Sequence, residues 1–225
     1  MSTKKAKKPQ KDAKERLLET AIKVFAIYGF EGASTRMLVK EAGVNISAIP
    51  YYFDSKDGLY EAVIRHIVSL ALERRGEESM EIRRALDAGN LTRQKAKKLL
   101  HDYIGGFSRF LISDMASPYI PQIIIREQMQ PTPVFNILYE GLMRPLHETL
   151  TRLVAYLTGL SAESEQAILC ATTMIGQLLI FKTHRELVLC RTGWKTYGRD
   201  ETAAIIELVL QNTDAIVAAH RKTTS

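Results

Sequence analysis

The side chains that could do chemistry in this chain are concentrated between residues 34 and 56. They are hydrogen-bond donors and cations rather than acid–base groups: Thr35, Arg36, Asn45, Ser47, Tyr51, Tyr52 and Lys56. Arginine, lysine and hydroxyl side chains contact phosphate oxygens, whereas amides and hydroxyls at the end of a helix can reach base edges. The segment therefore indicates a surface that binds a polyanion.

Elsewhere, catalytic and metal-binding patterns are missing. His147 and His184 are expected to face inward, but no His-x-x-x-His or Glu-x-x-His pair places two ligands on one helix face. No nucleophile–base pair, glycine-rich phosphate loop or Cys-x-x-Cys pair occurs either. We expect no metal, no cofactor and no enzymatic activity. Only the observed turnover of a bound small molecule would support the hypothesis that the protein is an enzyme.

Helices must position these residues, because apolar side chains recur every three or four positions and strand patterns are nearly absent. The glycines at 29 and 43 predict the ends of helices over 13–28 and 35–42. Further helices are predicted over 46–52 and from 56 to 75 or beyond, then over 93–113, 162–190 (capped by Ser161) and 200–219. Pro118 and Pro121 indicate an irregular stretch, and a long helix opening at 131–133 should kink at Pro145.

Composition and charge set the class of protein. With 225 residues, 46% of them hydrophobic, the chain has enough apolar material for a core. The sequence contains no run of 18 apolar residues, so we expect no transmembrane helix. The basic N-terminus lacks the apolar stretch of a signal peptide, so we expect a cytoplasmic protein. Residues 1–16 carry seven basic and two acidic residues, which is most of the net charge of +6. This tail is either an arm that meets a polyanion or a solubilising extension.

Residues 34–53 have the pattern of a helix-turn-helix. Two short helices flank Gly43, and Leu38, Val44, Ile49 and Phe53 supply the apolar wedge between them. The exposed start of the second helix would offer Asn45, Ser47 and Ala48 to the major groove, and Ile46 between them is also a candidate DNA contact. Thr35 and Arg36 at the start of the first helix, with Tyr51, Tyr52 and Lys56, would contact phosphates.

These residues resemble the DNA-binding domain of TetR-family transcriptional regulators over residues 14–66. The matching motifs are Tyr28-Gly29-Phe30, Ser34-Thr-Arg, Ala42-Gly-Val, Tyr51-Tyr-Phe and Ser55-Lys-Asp-Gly-Leu59. Three positions depart from the family pattern. Met37 replaces an acidic residue, so Ser34 must cap its helix alone. Ile46 replaces a common lysine, and Pro50 should cost a hydrogen bond near the end of the recognition helix.

The C-terminal half resembles the CecR-like branch of that family, through Arg126-Glu-Gln-Met, Pro131-Thr-Pro-Val-Phe135 and Gly193-Trp194 among other motifs. The resemblance implies an all-α protein: a basic flexible tail over 1–13, a helix-turn-helix domain over 14–66, and a helical effector-binding and dimerisation domain over 67–225. It also implies a homodimer that forms through the last two helices and binds a double-stranded DNA operator with two half-sites. A pocket for a small-molecule effector of unknown identity is expected, and no membrane partner is expected.

Polar and aromatic side chains of the C-terminal half are the candidates for that pocket. They are Phe107, Phe110, Arg126, Met129, Phe135, Tyr139, His147, Gln177, Phe181, Arg185 and Trp194. A buried structural network or ordinary core packing would explain the same residues. The expected function is a repressor released by an effector. The alternative is a constitutive architectural DNA-binding protein without an effector. DNA binding that depends mainly on salt and not on base sequence would favour this alternative.

Overall fold

In a computed structural model, described over residues 12–112 and 119–221, regular structure is entirely helical. The helices are α1 Ala13–Gly32, α2 Thr35–Ala42, α3 Ala48–Phe53, α4 Lys56–Asp87, α5 Arg93–Ile112, α6 Tyr119–Met129, α7 Phe135–Leu138, a π-helical turn Tyr139–Met143, α8 Arg144–Thr158, α9 Glu165–Thr183, α10 Arg185–Thr192 and α11 Arg199–Ala219. The all-α prediction is confirmed.

The chain forms two compact units, whose boundary falls inside α4 between Leu70 and Ala71. The first unit runs to Leu70 and includes Tyr119–Leu138, and the second comprises Ala71–Pro118 and Tyr139–Ser225. The division from sequence had placed all of 67–225 together. The segment with α6 and α7 groups instead with the first unit. Of the predicted tail, residues 1–11 lie outside the described residues, and Asp12 caps α1 by accepting from the Glu15 N–H at 2.8 Å.

In the first unit, α1 to α3 and the start of α4 pack around an aromatic cluster. The rings of Phe25 and Tyr60 meet edge to face with their centroids 4.7 Å apart, and Phe30 lies 5.1 Å from Tyr60. Leu17, Leu38, Ile49 and Leu59 complete a core that is almost fully shielded from solvent. Burial of large apolar side chains from every helix fixes the position of the short α2 and α3, which are too short to be stable alone.

In the second unit, α5, α8, α9 and α11 share one core. Leu100, Leu153, Met174, Leu178 and Val209 are buried there, as is Tyr197 from the segment before α11. Some buried polar groups of this unit are paired within their own helix: the Ser108 hydroxyl donates to the Ile104 carbonyl at 2.7 Å, one turn earlier on α5.

Several helix predictions need correction. The stretch around Pro121 is helical, because a proline in the first turn of α6 loses no helical hydrogen bond. The helix predicted over 162–190 begins later, capped by Ser164 rather than Ser161, and is interrupted at His184, where α9 ends and α10 begins. The helix predicted from 131–133 begins at Phe135. Its expected kink is a π-helical turn, which ends just before Pro145 in the first turn of α8.

Candidate nucleic-acid interface

The turn between α2 and α3 is built from local hydrogen bonds. The Ser34 hydroxyl accepts from the Met37 N–H at 3.2 Å and caps α2 without an acidic partner, as the sequence predicted. Gly43 ends α2 in the left-handed region at φ 63°, and its N–H donates to the Lys40 carbonyl at 3.2 Å. The Val44 N–H then donates to Val39. These bonds direct the chain into α3 with little freedom.

Asn45 and Ser47 form the entry to α3. The Asn45 Oδ1 accepts from the Ser47 N–H and from the Ser47 hydroxyl, both at 3.0 Å. Both side chains are exposed, and Ile46 between them is 51% exposed. The two hydrogen bonds fix the Asn45 side chain relative to Ser47. Both use the Asn45 Oδ1, so neither involves the Asn45 amide nitrogen. Three consecutive exposed side chains at a helix start match the part of a recognition helix that reads the major groove.

Ala48 does not belong to that exposed surface. It is only 8% exposed, because it begins α3 and, with Ile49 and Phe53, forms the buried face of this helix. The prediction that Ala48 belongs to the exposed start of this helix is wrong. Pro50 also differs from expectation. It is the third residue of α3, where an N–H would have no helical partner, and the first bond of the helix runs from the Tyr51 N–H to the Ser47 carbonyl.

Tyr51 and Tyr52 project from the outer face of α3. Tyr51 is 79% exposed and Tyr52 is 38% exposed, and their rings meet edge to face at 4.7 Å. Arg36 is exposed on α2, and Thr35 is half-buried beside it at the first position of the helix. Tyrosine hydroxyls and arginine side chains are groups that can donate to phosphate oxygens, so these exposed residues remain candidates for contact with a sugar–phosphate backbone.

Lys56 has an intramolecular role. Its Nζ donates to the carbonyls of Phe30 at 2.9 Å and Ala33 at 3.2 Å, and it lies 4.2 Å from the centroid of the Phe30 ring. One of these carbonyls lies in the last turn of α1 and the other belongs to the residue that follows it, so the ammonium group stabilises the negative end of that helix. The sequence assigned Lys56 to phosphate binding, but its three donors are mostly directed into the first unit.

A strained turn fixes the end of α3. Asp54 has φ 64°, and the Ser55 N–H donates to the Phe53 carbonyl at 2.7 Å. The Ser55 hydroxyl caps α4 by accepting from the Gly58 N–H at 3.0 Å. A Cβ on Gly58 would lie 2.0 Å from the Phe53 carbonyl oxygen, so only glycine fits.

The second unit contains a small apolar cavity of about 20 Å³. Its lining comes from three helices: Tyr103, Ile104 and Phe107 of α5, Leu146 and Leu150 of α8, and Met174, Ile175 and Leu178 of α9. Only Phe107 was among the predicted pocket residues. The sequence predicted polar and aromatic side chains because such groups orient a bound molecule, and the helical period alone does not identify which apolar side chains of three helices meet.

The other predicted pocket residues lie elsewhere. Met129, the last residue of α6, is 76% exposed, and Tyr139, the first residue of the π-helical turn, is 40% exposed. Phe181 and Trp194 pack against the core of the second unit, and Arg185 lies 5.3 Å from the Tyr197 ring centroid. The following four also do not line the cavity: Phe110, Phe135, His147 and Gln177.

His147 joins α8 to α9 through hydroxyl groups. Its Nε2 lies 3.0 Å from the Thr172 hydroxyl, and its Nδ1 lies 3.1 Å from the Thr151 hydroxyl. Burial lowers the pKa of His147, although the neighbouring Glu148 opposes this. A neutral imidazole between two hydroxyls is a structural link. Among the described residues, no group of three metal-ligating side chains occurs.

Arg126 and Glu127 anchor α6 within the first unit. The Arg126 guanidinium donates to the Ala26 carbonyl at 3.3 Å and lies against Gly29, where a Cβ would be 2.9 Å from it. Glu127 is 1% exposed and accepts from the Tyr60 hydroxyl at 2.7 Å. The same carboxylate accepts from the Thr132 N–H at 3.2 Å. The prediction that Arg126 binds effector is replaced by a structural role, which fits the alternative of a buried network.

The glycine-turned α2–α3 pair, the exposed start of α3 and the helical second unit together define a helix-turn-helix transcriptional regulator. The profile for bacterial regulatory proteins of the TetR family matches residues 17–63, and the profile for the C-terminal domain of the HTH-type transcriptional dual regulator CecR matches residues 96–220. The chain therefore belongs to the TetR family, with a CecR-type C-terminal domain. TetR-family regulators bind DNA operators, typically act as dimers and are not enzymes.

Known relatives agree with this assignment. The dual regulator CecR of Shigella flexneri is 33% identical over 205 residues, which are 91% of each chain. Two solved structures share the fold. Mycobacterium smegmatis AmtR has a TM-score of 0.60 at 16% identity, covering 96% of this chain and 97% of its own. HlyIIR, a hemolysin II transcriptional regulator, has a TM-score of 0.59 at 19% identity, covering 87% and 96%.

Proposed function

We propose that this protein is a homodimeric repressor whose affinity for its operator falls when a small molecule binds the second unit. The observation that carries the proposal is the exposed group on α2 and α3: Arg36, Asn45, Ser47, Tyr51 and Tyr52. Arg36 and the tyrosines would contact phosphates, and Asn45 and Ser47 would read base edges. Acting on DNA, the protein would reside in the cytoplasm.

The dimer would form through α9 and α11. By length and composition both helices could cross a membrane, yet only 28% of each apolar window is buried. Ile168, Leu169 and Leu208 are 40%, 61% and 48% exposed. A membrane fits poorly, because Asp214 of α11 pairs with Lys97 and His101 of α5, each at 2.8 Å. A second copy covering these apolar faces explains their exposure.

A dimer of this kind would present two copies of α3 to one face of DNA. Half-sites would then be spaced by about 34 Å, one helical turn, or a multiple of it. An effector can release the protein only if it binds a conformation whose α3 spacing does not match the operator. The cavity between α5, α8 and α9 is the candidate effector site, since ligand contacts there would alter the packing of these helices.

The test is fluorescence anisotropy with the DNA upstream of the coding region, unrelated competitor DNA and varied salt. Wild-type protein should bind specifically, with two protomers per site. Arg36→Ala should weaken binding to every sequence and reduce the salt slope by about one phosphate, whereas Asn45→Ala should relax base preference. Lys98→Ala, which removes an exposed cation from α5 (74% exposed), is the matched control and should change neither. Binding that competitor removes equally well would favour the architectural alternative.

A further inference from the structure

Arg75 of α4 lies against the two aromatic rings that line the cavity. Its guanidinium carbon is 4.7 Å from the Tyr103 ring centroid and 5.7 Å from that of Phe107. Its Nη2 donates to the Tyr103 carbonyl at 2.9 Å. The guanidinium also packs close to the backbone of α5, because a Cβ built on Gly106 would lie 3.5 Å from Nη1, at ordinary van der Waals distance. The side chain is only 12% exposed, so the charge is largely removed from water.

The hydrogen-bonding capacity of Arg75 is only partly used. Its Nη2 also pairs with Glu78 at 3.0 Å, but its Nε is buried and, within the described residues, has no hydrogen-bond partner. A buried, unpaired guanidinium N–H costs free energy that a bound acceptor would recover.

Arg83 repeats the arrangement two turns further along the same face of α4. Its Nη2 donates to the Pro145 carbonyl at 3.2 Å, next to Leu146 of the cavity wall, and lies 3.9 Å from Glu148. Its Nε is likewise buried and unpartnered within the described residues. The Tyr103 hydroxyl donates to the Leu146 carbonyl at 2.9 Å, so two residues of the cavity lining are hydrogen-bonded to each other.

We infer that the effector is an amphipathic organic anion, whose apolar body enters the cavity and whose anionic group is bound by Arg75, with Arg83 supplying a second positive charge. This rests on the proposed effector site. The Arg75 fork can bind a carboxylate, sulfonate or phosphate through two N–H groups at once, with the anion replacing Glu78. Because the cavity of about 20 Å³ holds only about one water molecule, the apolar body can enter only if the side chains of Leu150, Met174 and Leu178 move aside. Methionine is the most adaptable of the three.

The local charges argue against a cationic effector. A cation would approach two arginines whose charges are only partly offset, because Glu78 and Glu148 are 36% and 56% exposed and therefore screened by water. A neutral apolar effector would leave both buried Nε atoms unpaired.

The test uses two fluorescent probes with the same aromatic body and the full-length protein without DNA. These are 8-anilinonaphthalene-1-sulfonate, an amphipathic anion, and N-phenyl-1-naphthylamine, which lacks the sulfonate. Wild-type protein should bind the anionic probe at least about tenfold more tightly, because hydrogen bonds to charged groups contribute about 1.5–3 kcal/mol. Equal affinities for the two probes would overturn the inference.

Variants separate the anion site from the cavity. Arg75→Gln should weaken the anionic probe about tenfold and leave the neutral probe within twofold. Arg83→Gln gives a second reading if Arg75→Gln does not fold. Arg84→Gln, which removes the same charge from the exposed face of α4, is the matched control and should change neither affinity. A parallel loss for both probes in Arg75→Gln would contradict the inference.

Filling the cavity tests the proposed function itself. Ile175 is a half-buried lining residue of α9, so Ile175→Phe should reduce the volume without replacing a fully buried side chain. Both probes should then bind more weakly. If Ile175→Phe changes neither probe, they do not use the cavity, and the effector site is refuted along with the inference. If it weakens both equally and Arg75→Gln changes nothing, the cavity stands and only the anion preference falls.

Discussion

Gly58→Ala should damage the helix-turn-helix, although it replaces glycine by the best helix former. The new Cβ would lie 2.0 Å from the Phe53 carbonyl oxygen, a backbone atom at the end of α3. Relieving the clash requires a shift of about 1 Å or more, next to a turn already strained at Asp54. Overpacking of this kind costs about 1–3 kcal/mol, and the shift would move Tyr51 and Tyr52 relative to a bound phosphate backbone.

Gly76→Ala is the matched control, because it makes the same substitution in the same helix. An ideal Cβ there meets nothing within 4 Å, so the variant should gain up to about 1 kcal/mol from helix propensity. Thermal unfolding and operator anisotropy would be measured together. Gly58→Ala should lower Tm by about 2–4 °C per kcal/mol and weaken operator binding, whereas Gly76→Ala should do neither. A Gly58→Ala protein as stable and as tightly bound as wild type would refute the account of this turn.

Three further predictions concern stability, each measured by thermal or denaturant unfolding. Lys56→Met should lose about 1–3 kcal/mol because two carbonyls of α1 lose a charged donor, and unchanged stability would return this lysine to phosphate binding alone. Tyr60→Phe should cost about 1–3 kcal/mol by removing a donor from buried Glu127; a neutral effect would mean that water replaces the hydroxyl. Burial lowers the pKa of His147, so its neutral form favours folding. The stability present above about pH 6.5 should fall on acidification by at most about 1.4 kcal/mol per pH unit, and His147→Asn should flatten that slope.

The helix-turn-helix was accessible from sequence because its determinants are local. Ser34 caps by accepting from an N–H three residues on, and Gly43 adopts a positive φ that few other residues tolerate. Such signals act within one turn of chain. The burial of Ala48 was not accessible in the same way, because a small residue suits either face of a short helix.

The roles of Lys56 and Arg126 depend on partners far away in sequence. Lys56 binds carbonyls 23 and 26 residues earlier, and Arg126 binds the Ala26 carbonyl 100 residues earlier. From the sequence alone, a lysine next to the helix-turn-helix is interpreted as a phosphate ligand. Only the folded structure shows that Lys56 donates instead to backbone carbonyls of an earlier helix end. The same reasoning explains the cavity, where periodicity identified the inward faces of α8 and α9 but not which side chains meet across them.

The central claim is tested most directly by selection of binding sites from random double-stranded DNA, comparing wild-type protein with Asn45→Ala. Wild-type protein should enrich a motif with two half-sites separated by about one helical turn or a multiple of it. The variant should bind with altered preference at one position in each half. Enrichment of no motif, or of the same motif with the same preferences by both proteins, would contradict the assignment of base reading to the start of α3.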